Sequence, residues 1–442
     1  MKWPCARVFL SSILSALLVV IPFVTSADDA RDVHEHEGAN HGRDHDVLTS
    51  GQRTFRFDTF GDEAFWGGTL HLHRAIEGAR FGGVGPGVSP KTALAVGLKV
   101  DVDALPGSLI RDLRNGRVSL DDPGVTLQLL KLNAVVGLTG SFQSDLRLQS
   151  IGIQCALCHS SVDDSLAPGI GHRLDGWANR DLNVGAIVSL APDLSAVASL
   201  LGVDPATVRQ VLAAWGPGKF DAELFLDGKG FRPDGTTAAT LIPPAFGLAG
   251  INLHTWTGWG SIPYWNAFVA VLEMHGKGSF SDSRLSDPSQ FPIAARAGFA
   301  NVRDEPDLVS SKLPGLHTYQ LALAAPEPPR GSFNPAAAER GGKVFEMARC
   351  TSCHVPPTFS EPGWNLHTGQ ELGIDDFQAN RSPAKGYRTA PLGGLWTHLK
   401  GGFYHDGRFA TLLEVVNHYD LQFALHLSAR EKADLVEYLK SL

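Results

Sequence analysis

One five-residue pattern, present twice, constrains this chain more than any other feature of its sequence. Cys-x-x-Cys-His occurs at residues 155–159, the first motif, and again at residues 350–354, the second motif. Of the five cysteines in the chain, only Cys5 lies outside the two motifs. The motif residues are Cys155, Cys158, His159, Cys350, Cys353 and His354.

Three chemistries use closely spaced cysteines, and the adjacent histidine separates them. Cys-x-x-Cys-His is the attachment signature of c-type haem, in which both thiols bind the porphyrin and the histidine binds the iron. A structural zinc site would combine the two cysteine pairs and leave both histidines unexplained. A thioredoxin-like redox pair needs no histidine and favours a βαβ setting. The pattern predicts two covalent haem groups, with His159 and His354 as proximal iron ligands.

The N-terminus indicates export. Residues 1–27 combine positive Lys2 and Arg7, a long apolar run and a small-residue cleavage site, which is typical of a secretory signal peptide. A retained anchor is the alternative, but the apolar run is short for a membrane span. We expect a periplasmic or secreted protein without a stable membrane span. Its formal net charge of −8 argues against a nucleic-acid partner.

Composition divides the rest of the chain into four parts. Residues 28–50 are acidic and histidine-rich and are predicted to form a disordered leader. Residues 51–325 should form the first haem domain, residues 326–334 a proline-rich linker, and residues 335–442 a class I cytochrome c-like domain. The predicted fold is mainly α, with two cytochrome c-like haem domains of which the first is enlarged by loops and insertions.

Helix signals are clearest in the last hundred residues. Asn334 and Pro335 suit the N-cap and first position of a helix that leads into the second motif. Ser428 and Glu431 form a capping box that opens a closing helix. In the first domain, Asp204–Trp215 is predicted to be helical. Apolar faces are predicted for Ala337, Gly341, Val344 and Phe345, and for Leu127, Leu130, Leu132 and Val135.

The sixth ligand of each iron decides between electron transfer and reaction. Beyond the signal peptide, the chain contains only two methionines, Met274 and Met347, and both are interpreted as core residues. For the second haem, His405 in a glycine-flanked loop is slightly favoured, because imidazole is the commoner haem ligand. Tyr419, on a helix opened by a capping box at Thr411, is the rival, and His398 is a weaker third candidate.

No sixth ligand stands out for the first haem. Its distal candidates are His172, His254 and His275, none of which is favoured by its surroundings in the sequence. An aromatic cluster is the most distinctive material near the first motif, and it could line an apolar distal pocket, relay electrons or simply fill the core. The cluster comprises Trp256, Trp259, Tyr264, Trp265 and Phe280.

Residues 336–442, and above all 388–420, resemble the bacterial di-haem cytochrome c peroxidase and MauG superfamily. The resemblance implies that this segment loops over the second haem. It maps the distal-ligand position of the family, Met in the peroxidases and Tyr in MauG, onto Tyr419, and a loop histidine onto His405. It also implies a calcium ion between the domains.

The wide spacing of the motifs resembles that of the haem-c rubber oxygenases within the same superfamily. That similarity implies that the first haem binds O₂, that Tyr264, Trp265 and Phe280 line its distal side, and that an axial histidine lies near His405. The chain lacks a long segment after the second motif that those enzymes have, so their polymer substrate is not carried over.

These observations predict an exported di-haem c-type oxidoreductase, either a di-haem peroxidase or a haem-dependent oxygenase. The first haem would activate O₂ or H₂O₂, and the second would relay electrons from a donor protein or an organic substrate. The alternatives are a pure electron-transfer cytochrome with both haems six-coordinate, and a haem-based sensor.

Overall fold

The computed structural model describes residues 45–143, 147–398 and 400–442. The predicted signal peptide and most of the predicted leader lie outside the described residues. The described part begins with a helix over residues 45–57, so residues 45–50, assigned above to the leader, are helical. Among the described residues, no helix has both the length and the apolar character needed to cross a bilayer.

The described residues are rich in short helices and contain only short strands, which confirms the mainly α prediction. The α-helices span Leu72–Glu77, Pro90–Ala95, Gly107–Arg114, Pro123–Lys131, Ala156–His159, Val184–Val188, Ser195–Leu201, Pro205–Trp215, Leu224–Asp227, Ile262–Phe268, Pro292–Ala297, Leu313–Ala322, Pro335–Met347, Gly369–Leu372, Phe377–Arg381, Leu412–Gln422 and Ala429–Ser441. Single turns of 3₁₀-helix span Ala79–Phe81, Val102–Ala104, Ser283–Ser286, Ser310–Lys312, Cys350–Ser352 and Leu395–Thr397, and π-helical turns span Ala64–Thr69 and Val269–Glu273.

The strands of the described residues are short and pair only two by two. The parallel pair is Val100–Asp101 with Ile170–Gly171. The antiparallel pairs are Leu138–Phe142 with Leu148–Ile153, Ser160–Val162 with Arg173–Asp175, Lys219–Phe220 with Thr240–Leu241, and Ser279–Ser281 with Asn301–Arg303. No sheet is wide enough to organise the fold, so helix and loop packing positions the motifs.

Each motif lies against a hydrophobic core. Cys155 packs on a core rich in aromatic residues, and Cys158 packs on a neighbouring core built from residues 66–242. Cys350 packs on a separate core in the C-terminal hundred residues. Residues Val47–Leu442 group as one compact unit, and their division into two haem domains stays a prediction.

The C-terminal helices form as their capping signals predict. The Asn334 side chain accepts a hydrogen bond from the Ala337 amide at 3.0 Å, and capping boxes are present at Thr411 and Ser428. The predicted apolar face of Pro335–Met347 is buried, and Leu435 and Leu439 of the last helix pack in the same core. These two helices hold the residues that precede the second motif.

Gly341 sits where the helices Pro335–Met347 and Ala429–Ser441 approach most closely. A Cβ atom at Gly341 would lie 2.0 Å from the Asp434 carbonyl oxygen, whereas one at Gly342 would meet only the Tyr438 ring edge at 3.3 Å. We therefore expect Gly341→Ala to lower the free energy of unfolding by about 1–3 kcal/mol through overpacking. Gly342→Ala should instead raise it by about 0.5–1 kcal/mol, because alanine favours helix. Denaturant unfolding of both variants measures the difference, and equal effects would contradict this account.

The helix and apolar-face predictions within residues 51–325 hold with one exception. The helix Pro205–Trp215 is capped by Asp204 as expected and buries Val208 and Leu212. Leu132 was placed on the buried face with Leu127, and this is wrong: Leu132 is 37% exposed. The helix Pro123–Lys131 ends just before it, so the helical periodicity no longer applies there.

Candidate functional site

Both motif histidines are held by the same kind of contact. The Nδ1 atom of His159 lies 3.1 Å from the Pro243 carbonyl oxygen, and that of His354 lies 2.8 Å from the Phe359 carbonyl oxygen. An Nδ1–H that donates to a carbonyl leaves Nε2 as the ring atom with a free lone pair. Burial lowers the pKa of His159 to about 4 and also lowers the pKa of His354, so both rings are neutral and suited to bind iron.

The motif cysteines have the surroundings of structural thiols. All four are unpaired. Burial raises the pKa of Cys155 and Cys158 to about 12 and that of Cys350 to about 11. A redox-active thiol or a zinc ligand usually has its thiolate favoured by its surroundings. The apolar surroundings and the fixed imidazole fit a haem group at each motif. Buried charged groups without hydrogen-bond partners, described below, also fit such a group.

Glu273 is a buried acid beside the first motif. Only 7% of the residue is exposed, and neither carboxyl oxygen has a hydrogen-bond partner within the described residues. It ends the π-helical turn Val269–Glu273 and lies close enough to the Cys158 thiol to raise its pKa. Burial, then the nearby charges of Glu223 and Asp221, raise the pKa of Glu273 well above its usual value. The protonated form of the carboxyl is therefore favoured, and in that form it can donate.

The aromatic cluster mostly shares a core with the first motif. Trp259, Trp265 and Phe280 are buried in the core against which Cys155 packs, with Tyr264 beside them. The Tyr264 hydroxyl donates to Asp282 at 2.7 Å, while the buried Trp265 Nε1 has no partner in the described structure. This places Tyr264, Trp265 and Phe280 near the first motif, but their catalytic role stays a prediction.

Trp256 is separate from that core. Its indole N–H donates to the Leu241 carbonyl at 2.8 Å, and its own carbonyl accepts from the Arg388 amide at 3.1 Å. Leu241 is two residues from Pro243, whose carbonyl holds His159. Trp256 thus links the surroundings of His159 to a segment that follows the second motif.

The three histidine candidates near the first motif differ sharply in their placement. His172 is exposed and pairs with Asp103 at 2.9 Å, an arrangement that does not suit a haem ligand. His254 is buried, and its Nε2 lies 3.1 Å from the Ile251 carbonyl. His275 stacks on Phe65 with ring centroids 3.6 Å apart, and burial lowers its pKa to about 4.

Tyr419 is half-buried on the helix Leu412–Gln422. Burial raises the pKa of its phenol, and the charges of Cys353 and Cys350 in the second motif raise it further. Tyr404 lies next to it, with ring centroids 6.2 Å apart. The adjacent His418 instead directs Nε2 to the Leu372 carbonyl at 2.7 Å.

The other two candidates for the sixth ligand of the second haem, His398 and His405, lie in the segment before the helix Leu412–Gln422 that carries Tyr419. His405 is 2% exposed and stacks on Tyr387 with centroids 5.0 Å apart, and its Nε2 is buried without a hydrogen-bond partner among the described groups. Burial lowers the pKa of His405 to about 4 and that of His398 to about 3. The groups that shift the pKa of His405 are Asp406, Arg408, Arg232 and Asp375, and none belongs to the second motif.

One other cluster has the spacing of a metal site. Cys353, Glu361 and His367 form the one group of three such donors that the described residues bring together. The His367 ring pairs with Glu361 at 2.5 Å and with Glu371 at 2.9 Å. Because Cys353 belongs to the second motif, the cluster gives no independent support to the predicted calcium site, which stays a prediction.

Sequence reasoning missed Glu273 and two arginines, Arg180 and Arg388. Glu273 is the sole acid in the apolar stretch from Ala267 to Met274, and that isolation was a usable signal. Nothing in the residues next to Arg180 or Arg388 marks them, since their lack of a partner arises from tertiary packing.

Comparison with known proteins bears on the family resemblance. No protein-family model matches the chain. The methylamine utilization protein MauG of Methylorubrum extorquens is 26% identical over 270 residues, which cover 50% of this chain and 76% of MauG. The chain resembles the di-haem cytochrome c peroxidase and MauG superfamily. That resemblance, expected from the motifs, is confirmed, and with it a haem oxidoreductase of the di-haem cytochrome type in general.

Two solved structures overlap parts of the chain. Hydrazine synthase of Kuenenia stuttgartiensis is 19% identical, with a TM-score of 0.26, over 52% of this chain and 92% of that one. A MauG-like protein associated with microbial copper homeostasis is 16% identical, with a TM-score of 0.27, over 49% of this chain and 76% of that one. At these TM-scores neither overlap bears on the fold or the activity.

Proposed function

We propose that the protein is an exported di-haem c-type oxidoreductase that reduces or activates H₂O₂ or O₂ at the first haem, on His159, while the second haem, on His354, relays electrons. A c-type haem iron with an open sixth position supplies binding and reduction of such oxidants. The observation that carries the proposal is Glu273, a protonated acid without a partner beside the first motif.

Glu273 differs from Glu361, the acid near the second motif, because Glu361 pairs with His367 whereas Glu273 has no partner among the described residues. Reduction of H₂O₂ to two water molecules consumes two electrons and two protons, and a buried neutral carboxyl can hand over a proton without a solvent path. Burial raises the pKa of nearby Glu223 to about 7, so Glu223 is a second protonatable group in the same region. Glu273 itself is buried, and its neighbours in the chain, Leu272 and Met274, belong to the core against which Cys155 packs.

The second site differs from the first in having a candidate sixth ligand for its iron, Tyr419. Its phenol is near enough to Cys353 and Cys350 for their charges to raise its pKa, and from there it would occupy the sixth position and keep external ligands from the iron. A six-coordinate iron mainly transfers electrons. We therefore assign the relay to the second haem, with Tyr419 rather than His405 as its distal ligand.

Aromatic contacts between the segments around the two motifs suit an electron path. Trp177 follows Gly176, whose amide donates to the His159 carbonyl at 2.8 Å. Its ring meets the ring of Trp396 edge-on, with centroids 5.3 Å apart. Trp396 adjoins Leu395, which lies in the core that also contacts Cys350. With a periplasmic location, the electron source would be a donor protein or an organic substrate.

Absorption and EPR spectra of the purified protein, with and without CO and H₂O₂, test the proposed function. We expect two covalent haem equivalents, of which one responds to both ligands and the other responds to neither. If both haems were low-spin and unresponsive even after reduction, the protein would be an electron carrier and the reactive site would not exist.

The distal ligand of the second haem is tested by two matched variants. Tyr419→Phe removes the phenol oxygen and should convert the unresponsive haem into a high-spin form that binds CO. His405→Ala should leave that haem low-spin, because the groups near His405 are not those near the second motif. EPR and CO titration of both variants decide between them, and the opposite outcome would make His405 the ligand.

A further inference from the structure

Arg180 is buried and Arg388 is half-buried, and neither has a carboxylate partner among the described residues. Arg180 is 8% exposed, and its Nε, Nη1 and Nη2 atoms all lack hydrogen-bond partners among the described residues. Arg388 donates from Nε to the Thr255 carbonyl, but its buried Nη1 lacks a partner there as well. Burial alone lowers the pKa of each to about 10, which means that no nearby carboxylate offsets it.

Arg381 shows how this chain pairs a buried guanidinium with carboxylates. Arg381 is 1% exposed, and its guanidinium pairs with Asp221 at 2.9 Å and with Asp227 at 2.8 Å. Burying a charge without such a partner costs several kcal/mol. Arg180 and Arg388 therefore need anionic groups that do not come from the described side chains.

Arg180 lies beside the first motif. The amide of the preceding residue, Asn179, donates to the Cys158 carbonyl at 2.9 Å. The Arg180 guanidinium and Leu241 both border Gly401, where an added Cβ atom would lie 3.3 Å from Arg180 Nη1 and 3.0 Å from Leu241 Cδ2. Leu241 is two residues before Pro243. The Pro243 carbonyl is the group that holds His159. The nearest acid in sequence, Asp181, pairs with Lys99 and Lys400 instead.

Arg388 lies beside the second motif. Two residues after it, the backbone of Ala390 is close enough to His354 to affect the pKa of that ring. The intervening Thr389 accepts a hydrogen bond on its carbonyl from Ser360 at 2.6 Å, next to Phe359, whose carbonyl holds His354. The backbone next to each of these arginines thus adjoins the surroundings of one proximal histidine.

We propose that Arg180 and Arg388 each bind an ionised propionate of a haem, Arg180 at the first motif and Arg388 at the second. Haem carries two carboxylates on one edge, and a guanidinium fork matches carboxylate geometry. The inference rests on the proposed haem occupancy but not on the reaction with an oxidant. A cation beside each propionate cancels charge that would otherwise favour the ferric iron, so both arginines hold the midpoint potentials up.

Redox titrations followed by EPR test this on the haem-loaded protein, in Arg180→Gln and Arg388→Gln. The midpoint potential of the first haem should fall in Arg180→Gln and that of the second in Arg388→Gln, and each should become dependent on pH as the freed propionate titrates. Arg180→Lys and Arg388→Lys keep the charge and should restore most of the potential. Arg111→Gln, on the exposed helix Gly107–Arg114, is the control and should change neither potential.

If Arg180→Gln keeps its haem but leaves the midpoint potential of the first haem unchanged, the assignment of Arg180 is overturned. The same holds for Arg388→Gln and the second haem. Should a glutamine variant fail to fold, resonance Raman spectra of the unmodified protein still decide, because propionates bound to arginine shift their bending modes in D₂O. Propionate modes without that shift would also overturn the proposal. If H₂O₂ and CO leave both haems unchanged while the potentials shift as expected, the proposed function fails and the propionate sites stand.

Discussion

Glu273→Gln should abolish most of the reaction with H₂O₂ or O₂ while leaving both haems in place. The substitution keeps the shape of the side chain but removes its transferable proton, and a general acid contributes about 10²–10⁴-fold to a rate. Stopped-flow absorption of the reduced protein mixed with H₂O₂ measures the loss. Because neither carboxyl oxygen of Glu273 has a partner in the described structure, the variant should fold normally.

The pH dependence sharpens this test. Burial raises the pKa of Glu273, so the protonated form is favoured and the acid loses its proton only as the pH rises. The rate of the unmodified protein should therefore decline towards alkaline pH, and this limb should vanish in Glu273→Gln. Glu339→Gln, at an exposed position paired with Lys343, is the matched control and should behave as the unmodified protein does. A Glu273 variant with an unchanged rate would remove the acid from the mechanism.

Removal of the thiols of one motif should separate the roles of the two haems. Cys155→Ala with Cys158→Ala should lose one covalent haem equivalent and all response to CO and H₂O₂, because the reactive iron is assigned to His159. Cys350→Ala with Cys353→Ala should also lose one equivalent but keep a haem that binds CO. Haem staining and pyridine haemochrome spectra count the haems, and CO titration identifies the one that remains.

The two cysteine pairs are each other's control, since both changes remove two buried thiols. Equal loss of CO binding from both pairs would show that the reactive site needs both haems. Loss of CO binding only from the second pair would reverse the assignment of the two sites. Full covalent haem in either double variant would contradict the attachment chemistry itself.

The C-terminal part of the fold was predictable because its signals are local. Asn334, Thr411 and Ser428 each cap a helix through a hydrogen bond that spans only three residues. The error at Leu132 has an equally local cause, because helical periodicity does not show where a helix ends.

The candidate site was predictable only where its residues are neighbours in the chain. The thiols and the histidine of each motif share one short turn, so their order in the sequence is sufficient to indicate haem attachment. The choice between His405 and Tyr419 was not decidable in this way, because it depends on which ring packs beside Cys350 and Cys353.

The sequence by itself predicted the attachment chemistry and the proximal histidines and determined the helix caps, since each depends on spacing within a few residues. The tertiary structure alone decided that, among the described residues, Glu273 is buried without a hydrogen-bond partner, that Tyr419 packs beside Tyr404, and that Arg180 and Arg388 lack carboxylate partners. These properties depend on residues tens to hundreds of positions apart. They arise when packing removes water from a charged or polar group, and a linear sequence does not show which groups lose their water.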